Sequence, residues 1–245
     1  MSERIDSYRA KVYEQYNKST YVARNDLSEA GLTAAADGYR RKLAPYLPEE
    51  RTLPILEIGC GVGAFLACLQ DLGYTDARGV DIAPDQVRFC RDRGFENVEV
   101  GDGLAYLEAS RESFGAIVMS DVLEHLDKST ALATLEAARS RLHLDGRLIL
   151  RVPNLSNPLN LRTRYVDFTH EIGFSKESLA QVLRVTGFEI LTIHGDFSPH
   201  RRWLARWIFD RVLWSGFKLL YRHTLHLKSE IVRGKNLIAV ATVSR

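Results

Sequence analysis

The sequence predicts a doubly wound α/β fold, a mostly parallel seven-stranded sheet with helices on both faces. Three observations predict it. Leu53, Ile55, Leu56 and Ile58 form an apolar run with no polar alternation, as in a parallel strand buried on both faces. Gly59, Gly61 and Gly63 follow at once, and Ala64-Phe65-Leu66-Ala67-Cys68-Leu69 then opens a helix, so a strand, a tight turn and a helix enclose a nucleotide-sized space. Beyond this unit, strand-like and helix-like segments alternate, the pattern of a parallel sheet.

Taken in order, the first 50 residues read as a helical lead-in, with tyrosines at 8, 13, 16, 21 and 39 that suit either a lid or packing onto the sheet. After the first strand, further strands are expected near 77–80, 97–100, 115–119, 147–152, 188–194 and 236–243. Helices are expected near 64–72, 84–92, 129–142 and 175–186. Pro84 suits a first helical turn, and Gly187 suits the position just past a helix end. The chain reads as one domain over residues 1–245, with an amphipathic helical insertion at 195–235 before the last strand.

The spacing of the turn separates two ligand classes. A dinucleotide site wants Gly-x-Gly-x-x-Gly, whereas here Glu57 precedes Gly59-x-Gly61-x-Gly63. A carboxylate beside the turn repels a pyrophosphate and suits a ligand with a cationic amino group. On these residues the chain resembles the class I S-adenosylmethionine-dependent methyltransferases, whose Rossmann-like sheet ends in an antiparallel seventh strand, placed here at 236–243. The resemblance implies S-adenosylmethionine as cofactor. It assigns Asp81, 24 residues beyond Glu57, to the ribose hydroxyls, and Asp102 and Gly103 after the third strand to the adenine. Ile82 and Ser120 join Glu57, Gly59, Gly61 and Gly63 as cofactor contacts.

Methyl transfer to a hydroxyl needs alignment and a route for the proton. Ser120-Asp121-Val122-Leu123-Glu124-His125 ends the fourth strand, and Asp167-Phe168-Thr169-His170 precedes a helix that Ser175 is expected to cap. His170 is the general-base candidate, with Asp121 or His125 orienting it. Alternatively Asp121, Glu124, His125 and His170 bind a divalent cation, an arrangement similar at those four positions to the small-RNA 3′-end 2′-O-methyltransferases. No metal is the favoured reading. The segment from Asp167 to Glu189 also looks like the methyltransferases of bacterial polysaccharide and glycolipid assembly, which implies a saccharide or lipid-linked glycan acceptor. A lipophilic acceptor such as a quinone precursor, or a metal-dependent 2′-O-methylation of RNA, is the alternative.

Composition bounds the remaining classes. Lysine and arginine number 33 against 31 acidic residues, a net charge of +2, so no global field draws in nucleic acid. Met1 to Asp6 is polar and no long apolar run spans a membrane, so a cytoplasmic protein is expected. Cys60, Cys68 and Cys90 lack metal-ligand or redox spacing and are expected to be reduced thiols near the core. Residues 201–228 hold all three tryptophans (203, 207, 214) and seven Lys/Arg against one Asp. They read as a helix lying on a membrane surface at the inner face, bent or broken at Gly216, with packing or a homodimer contact as the competing role.

Overall fold

The computed structural model describes residues 26–196 and 232–243, together with helical positions 211–213, 215–216 and 219–220. Tyrosines 8, 13, 16 and 21 and all three tryptophans of the expected surface helix lie outside the described residues.

The elements run in the order the alternation predicts. Helix α1 (Glu29–Lys42) is followed by β1 (Ile55–Ile58), α2 (Ala64–Asp71), β2 (Ala77–Asp81), α3 (Pro84–Asp92), β3 (Val98–Val100) and α4 (Gly103–Ala109). Then come β4 (Phe114–Ser120), α5 (Lys128–Arg141), β5 (Leu142–Pro153), α6 (Lys176–Val185), β6 (Phe188–Gly195) and β7 (Asn236–Val243). The sheet order is β3-β2-β1-β4-β5-β7-β6, with β7 antiparallel to both of its neighbours. Helix α4 is an addition to the expected set; it is short, and Asp102 starts it by accepting from Ala105 N at 3.0 Å.

Local chemistry sets most boundaries. Ser28 caps α1, Asp127 caps α5 through Ser129 N and Thr130 N, and Ser175 with Ser178 forms a reciprocal capping box on α6. Every residue of β4 is buried. Ile117 and Met119 face one hydrophobic cluster with Leu135, Leu150 and Leu183, while Ala116 and Val118 face a second with Phe65, Leu69 and Ile149. Helices therefore cover both faces, and the apolar run of each central strand follows from that double burial.

Helix α1 packs on the second face. Tyr39 meets Phe65 edge-on, 5.4 Å between ring centroids, so this tyrosine packs onto the fold. Gly216, expected to bend or break the insertion helix, is itself helical and so does not break it at that position. The three cysteines are free and buried, as expected, and burial pushes the Cys68 thiol up to about 11.

Candidate active site

Strand β1 pairs with β2 on one side and β4 on the other, so the chain reverses its winding direction between β1 and β4. Crevices at such a reversal, outside the carboxyl ends of the strands, are where open α/β sheets bind ligands. Both groups of predicted residues lie at this edge.

The glycine turn leaves β1 through three left-handed residues, Gly59 (φ 74°), Gly61 (φ 53°) and Gly63 (φ 79°). A Cβ on Gly59 would stand 2.3 Å from Val122 Cγ2, so the turn and the β4 end are in close contact. The turn is sewn to β2 by Gly59 N to Val80 O at 2.7 Å and by Asp81, which accepts from Gly61 N at 2.8 Å and Ala83 N at 2.9 Å. Each Asp81 oxygen keeps a second lone pair for a ligand. Ile82 beside it exposes an apolar face, and Asp102 and Gly103 start α4 across the crevice. Ser120 is buried and its hydroxyl accepts from Arg151 at 3.1 Å.

Glu57 is 2% exposed and its Oε2 has no hydrogen-bond partner. Burial, with the Cys90 thiol and Asp81 adding, pushes its carboxyl well above the ordinary range. An orphaned buried carboxyl beneath a glycine turn is what a ligand's ammonium group would satisfy. The donor set, the left-handed turn and Asp81 thus fit S-adenosylmethionine.

The second group is assembled from two distant segments. A short 3-10 turn at Leu123–His125 follows β4, and its Glu124 carbonyl accepts from Glu171 N at 2.7 Å and Ile172 N at 3.0 Å. Arg164 reinforces that junction by donating to the carbonyls of His170 and Glu171. His125 and His170 meet edge-on, 4.7 Å between centroids.

The hydrogen bonds fix both tautomers. His170 Nδ1 faces the Thr163 carbonyl at 3.0 Å, so it must carry the proton. Thr169 donates its hydroxyl to Asp167 Oδ1 at 2.6 Å and therefore accepts from His125 Nδ1 at 2.8 Å. In its neutral form each ring therefore carries its lone pair on Nε2. Burial lowers the pKa of His170, keeping it neutral, whereas Thr169's hydrogen bonds hold Asp167 below the usual range although burial opposes them. Glu124 is 1% exposed with neither oxygen partnered, and burial, with Asp121 adding, pushes its carboxyl well up.

Asp121 departs from the expected role. Its backbone is left-handed (φ 58°) and its carboxylate pairs with Arg151 at the end of β5. It therefore neither orients His170 nor joins Glu124, His125 and His170, whose ligand atoms lie within 4.8 Å of one another. The pull of a half-buried guanidinium on the nearest carboxylate is the physical reason, and a sequence search for base partners passes over an arginine inside a strand.

Several further residues position the site. Asn154, Asn157 and Asn160 bind the carbonyls of Val232, Gly234 and Lys235, and so anchor the segment after β5 to the approach to β7. Their spacing of three residues was a legible signal. The Asp-x-Thr pattern of Asp167 and Thr169 was another, since such turns hydrogen-bond locally. Burial pushes the Tyr39 phenol up against the pull of Arg151, with the charges of Glu57 and Asp121 adding.

The family profile for the methyltransferase domain matches residues 31–193. An S-adenosylmethionine-dependent methyltransferase from Archaeoglobus fulgidus is 23% identical, covers 86% of this chain and 94% of its own, and superposes with a TM-score of 0.67. Magnesium protoporphyrin IX methyltransferase from Synechocystis PCC 6803, solved with S-adenosylmethionine bound, is 16% identical over 96% of this chain and 97% of its own, with a TM-score of 0.58. No curated protein matches the chain. With the matched span running from α1 to β6 across the glycine turn, Asp81 and the histidine pair, the chain belongs to the methyltransferase-domain family and is an S-adenosylmethionine-dependent methyltransferase.

Proposed function

We propose that the enzyme methylates a hydroxyl oxygen of a saccharide, carried on a glycan or a lipid-linked glycan. The observation that carries the reading is the histidine pair with both lone pairs on Nε2 at the carboxyl end of β4. An amine acceptor brings its own lone pair once neutral; a hydroxyl near neutral pH needs help to lose its proton.

Bound in the crevice, S-adenosylmethionine supplies a methyl group activated by a sulfonium sulfur. On this chain Glu57 answers the ammonium group, Asp81 the ribose hydroxyls, and Ile82 with Asp102 and Gly103 the adenine. That methyl group would pass to the acceptor oxygen, with the electron pair of the broken carbon–sulfur bond left on sulfur. The hydroxyl proton leaves at the histidine pair, and His125 and His170 serve this step either as direct bases or as ligands of a cation. Asp167 and Thr169 hold His125 in the required tautomer, and Thr163 does the same for His170.

The saccharide reading draws support from the segment that delivers His170. Phe168 is 90% exposed and Tyr165 83% exposed, two aromatic faces on which a pyranose ring can stack. Leu161 and Val166 beside them, and Val212, Leu213, Leu219 and Leu220 in the insertion, are also exposed and suit a lipid surface carrying the acceptor. Those aliphatic faces equally favour the lipophilic-acceptor alternative. Among the described residues no helix is long and apolar enough to cross a membrane.

An acceptor panel tests the proposal, with lipid-linked saccharides set against phenolic quinone precursors and a structured RNA. Methylation of saccharide hydroxyls, lowered by about 10²–10⁴ in His170→Ala with cofactor affinity retained, is expected. Turnover confined to phenols or RNA overturns it. Replacing Trp203, Trp207 and Trp214 with Ala should release the protein from anionic liposomes, and unchanged co-sedimentation would remove the membrane from the account.

A further inference from the structure

We infer that Glu124, His125 and His170 form a divalent transition-metal site, three protein ligands with open positions facing the acceptor. The inference rests on the methyl-transfer reading for its purpose but not for its geometry.

Three observations carry it. The first is convergence. The ligand atoms lie within 4.8 Å of one another, although Glu124 and His125 come from the turn after β4 and His170 from a segment 45 residues on. Ligands about 2.0–2.2 Å from a cation stand about 3–4 Å apart, so closing on one takes side-chain shifts of about 1–2 Å.

The second is tautomer. Metal-bound histidine almost always donates its other ring N–H to a carboxylate, a backbone carbonyl or water, which orients the ring and raises its basicity. His170 Nδ1 has that partner directly in the Thr163 carbonyl, and His125 Nδ1 reaches the Asp167 carboxylate through the Thr169 hydroxyl.

The third is the unpartnered carboxylate. Buried polar groups nearly always have a hydrogen-bond partner, and one without demands a reason. Glu124 is 1% exposed and neither oxygen has a partner, while its own backbone carbonyl is doubly bonded. A buried acid held beside two imidazoles, with no donor of its own, is accounted for by a cation shared among the three.

Asp121 is not a ligand, because Arg151 holds its carboxylate. The site is therefore a two-histidine, one-carboxylate set. That mix of nitrogen and oxygen donors suits manganese, iron or zinc better than magnesium, which prefers oxygen alone. An acceptor hydroxyl entering an open position would have its pKa lowered by the cation and would lose its proton to solvent, with His170 acting as ligand and not as base.

The test uses the full chain, stripped with chelator. Mn²⁺ is titrated with the free ion followed by electron paramagnetic resonance, Co²⁺ is titrated with its visible d–d absorption followed, and S-adenosylmethionine affinity is measured on the same samples. About one Mn²⁺ per chain is expected, with a Co²⁺ spectrum unlike that of the aqueous ion. Glu124→Gln and His170→Gln should each weaken Mn²⁺ by more than the roughly 100-fold that loss of an outer partner can cost, leaving cofactor affinity unchanged. Absence of saturable Mn²⁺ binding, or binding that survives both substitutions, overturns the inference. If a variant also loses the cofactor, its fold is damaged, and the native protein's Co²⁺ spectrum decides alone. Native protein that binds metal but not S-adenosylmethionine would sink the methyl-transfer reading and leave the metal site standing.

Discussion

Replacing Glu57 with Gln should separate what this residue does for the fold from what it does for the cofactor. In the cofactor-free protein Glu57 is a buried acid with an orphaned oxygen, and its carboxyl is pushed well above the ordinary 4.5. Its folded pKa exceeds its unfolded one, so its contribution to stability is fully present below about pH 4.5 and is lost as pH rises through the raised folded value. Gln does not titrate and escapes that loss. Above both values, each unit by which the folded pKa exceeds the unfolded one costs about 1.4 kcal/mol, which for a chain of this size is about 3–5 °C in Tm. Glu57→Gln should therefore melt higher than the parent at pH 8 without cofactor, and the gap should close at pH 5. S-adenosylmethionine at about 100 times its Kd stabilises the parent by about 2.7 kcal/mol. The variant, lacking a charge-assisted contact worth about 1.5–3 kcal/mol, should bind about 10–100-fold more weakly and lose most of that gain. Scanning fluorimetry at both pH values and calorimetric titration read all of this. A stability gap independent of pH would refute the buried-acid argument, and equal cofactor affinity would refute the ammonium contact.

Gly59→Ala forces a side chain into left-handed backbone, which costs about 1–2 kcal/mol, and sets a Cβ 2.3 Å from Val122 Cγ2; a Tm lower by about 2–8 °C and weaker cofactor binding are expected by fluorimetry and calorimetry. Asn154→Ala removes the buried donor to the Val232 and Gly234 carbonyls, and thermal melts should show a loss of about 1–3 kcal/mol. Thr169→Val keeps the shape but takes away the acceptor for His125 Nδ1, so Mn²⁺ affinity should fall by about 10–100-fold in the same titration that tests the site, with cofactor affinity unchanged.

What the sequence discloses about this molecule follows from how local each determinant is. The glycine turn, Glu57, Asp81 and the strand–helix alternation are written within short windows, because double burial makes a strand apolar throughout and a left-handed turn demands glycine. Helix α4 escaped because its seven residues follow strand β3 with only Asp102 as a start signal. The site beyond the cofactor was legible as a set of residue types but not as a geometry. His125 and His170 could be named, yet their contact depends on Glu171 and Ile172 bonding the Glu124 carbonyl, a pairing that no local periodicity encodes. Asp121 shows the opposite failure. It stands three residues before Glu124, the right type at a promising spacing, but Arg151, 30 residues on and inside β5, claims its carboxylate. A guanidinium on an adjacent strand end outcompetes a neutral imidazole for an ionised acid, since it sets a full opposite charge in contact with it. The same competition leaves Glu124 as the acid without a cationic side chain on its oxygens. The arginine that removes Asp121 from the histidine cluster thereby fixes which carboxylate the proposed cation would meet there.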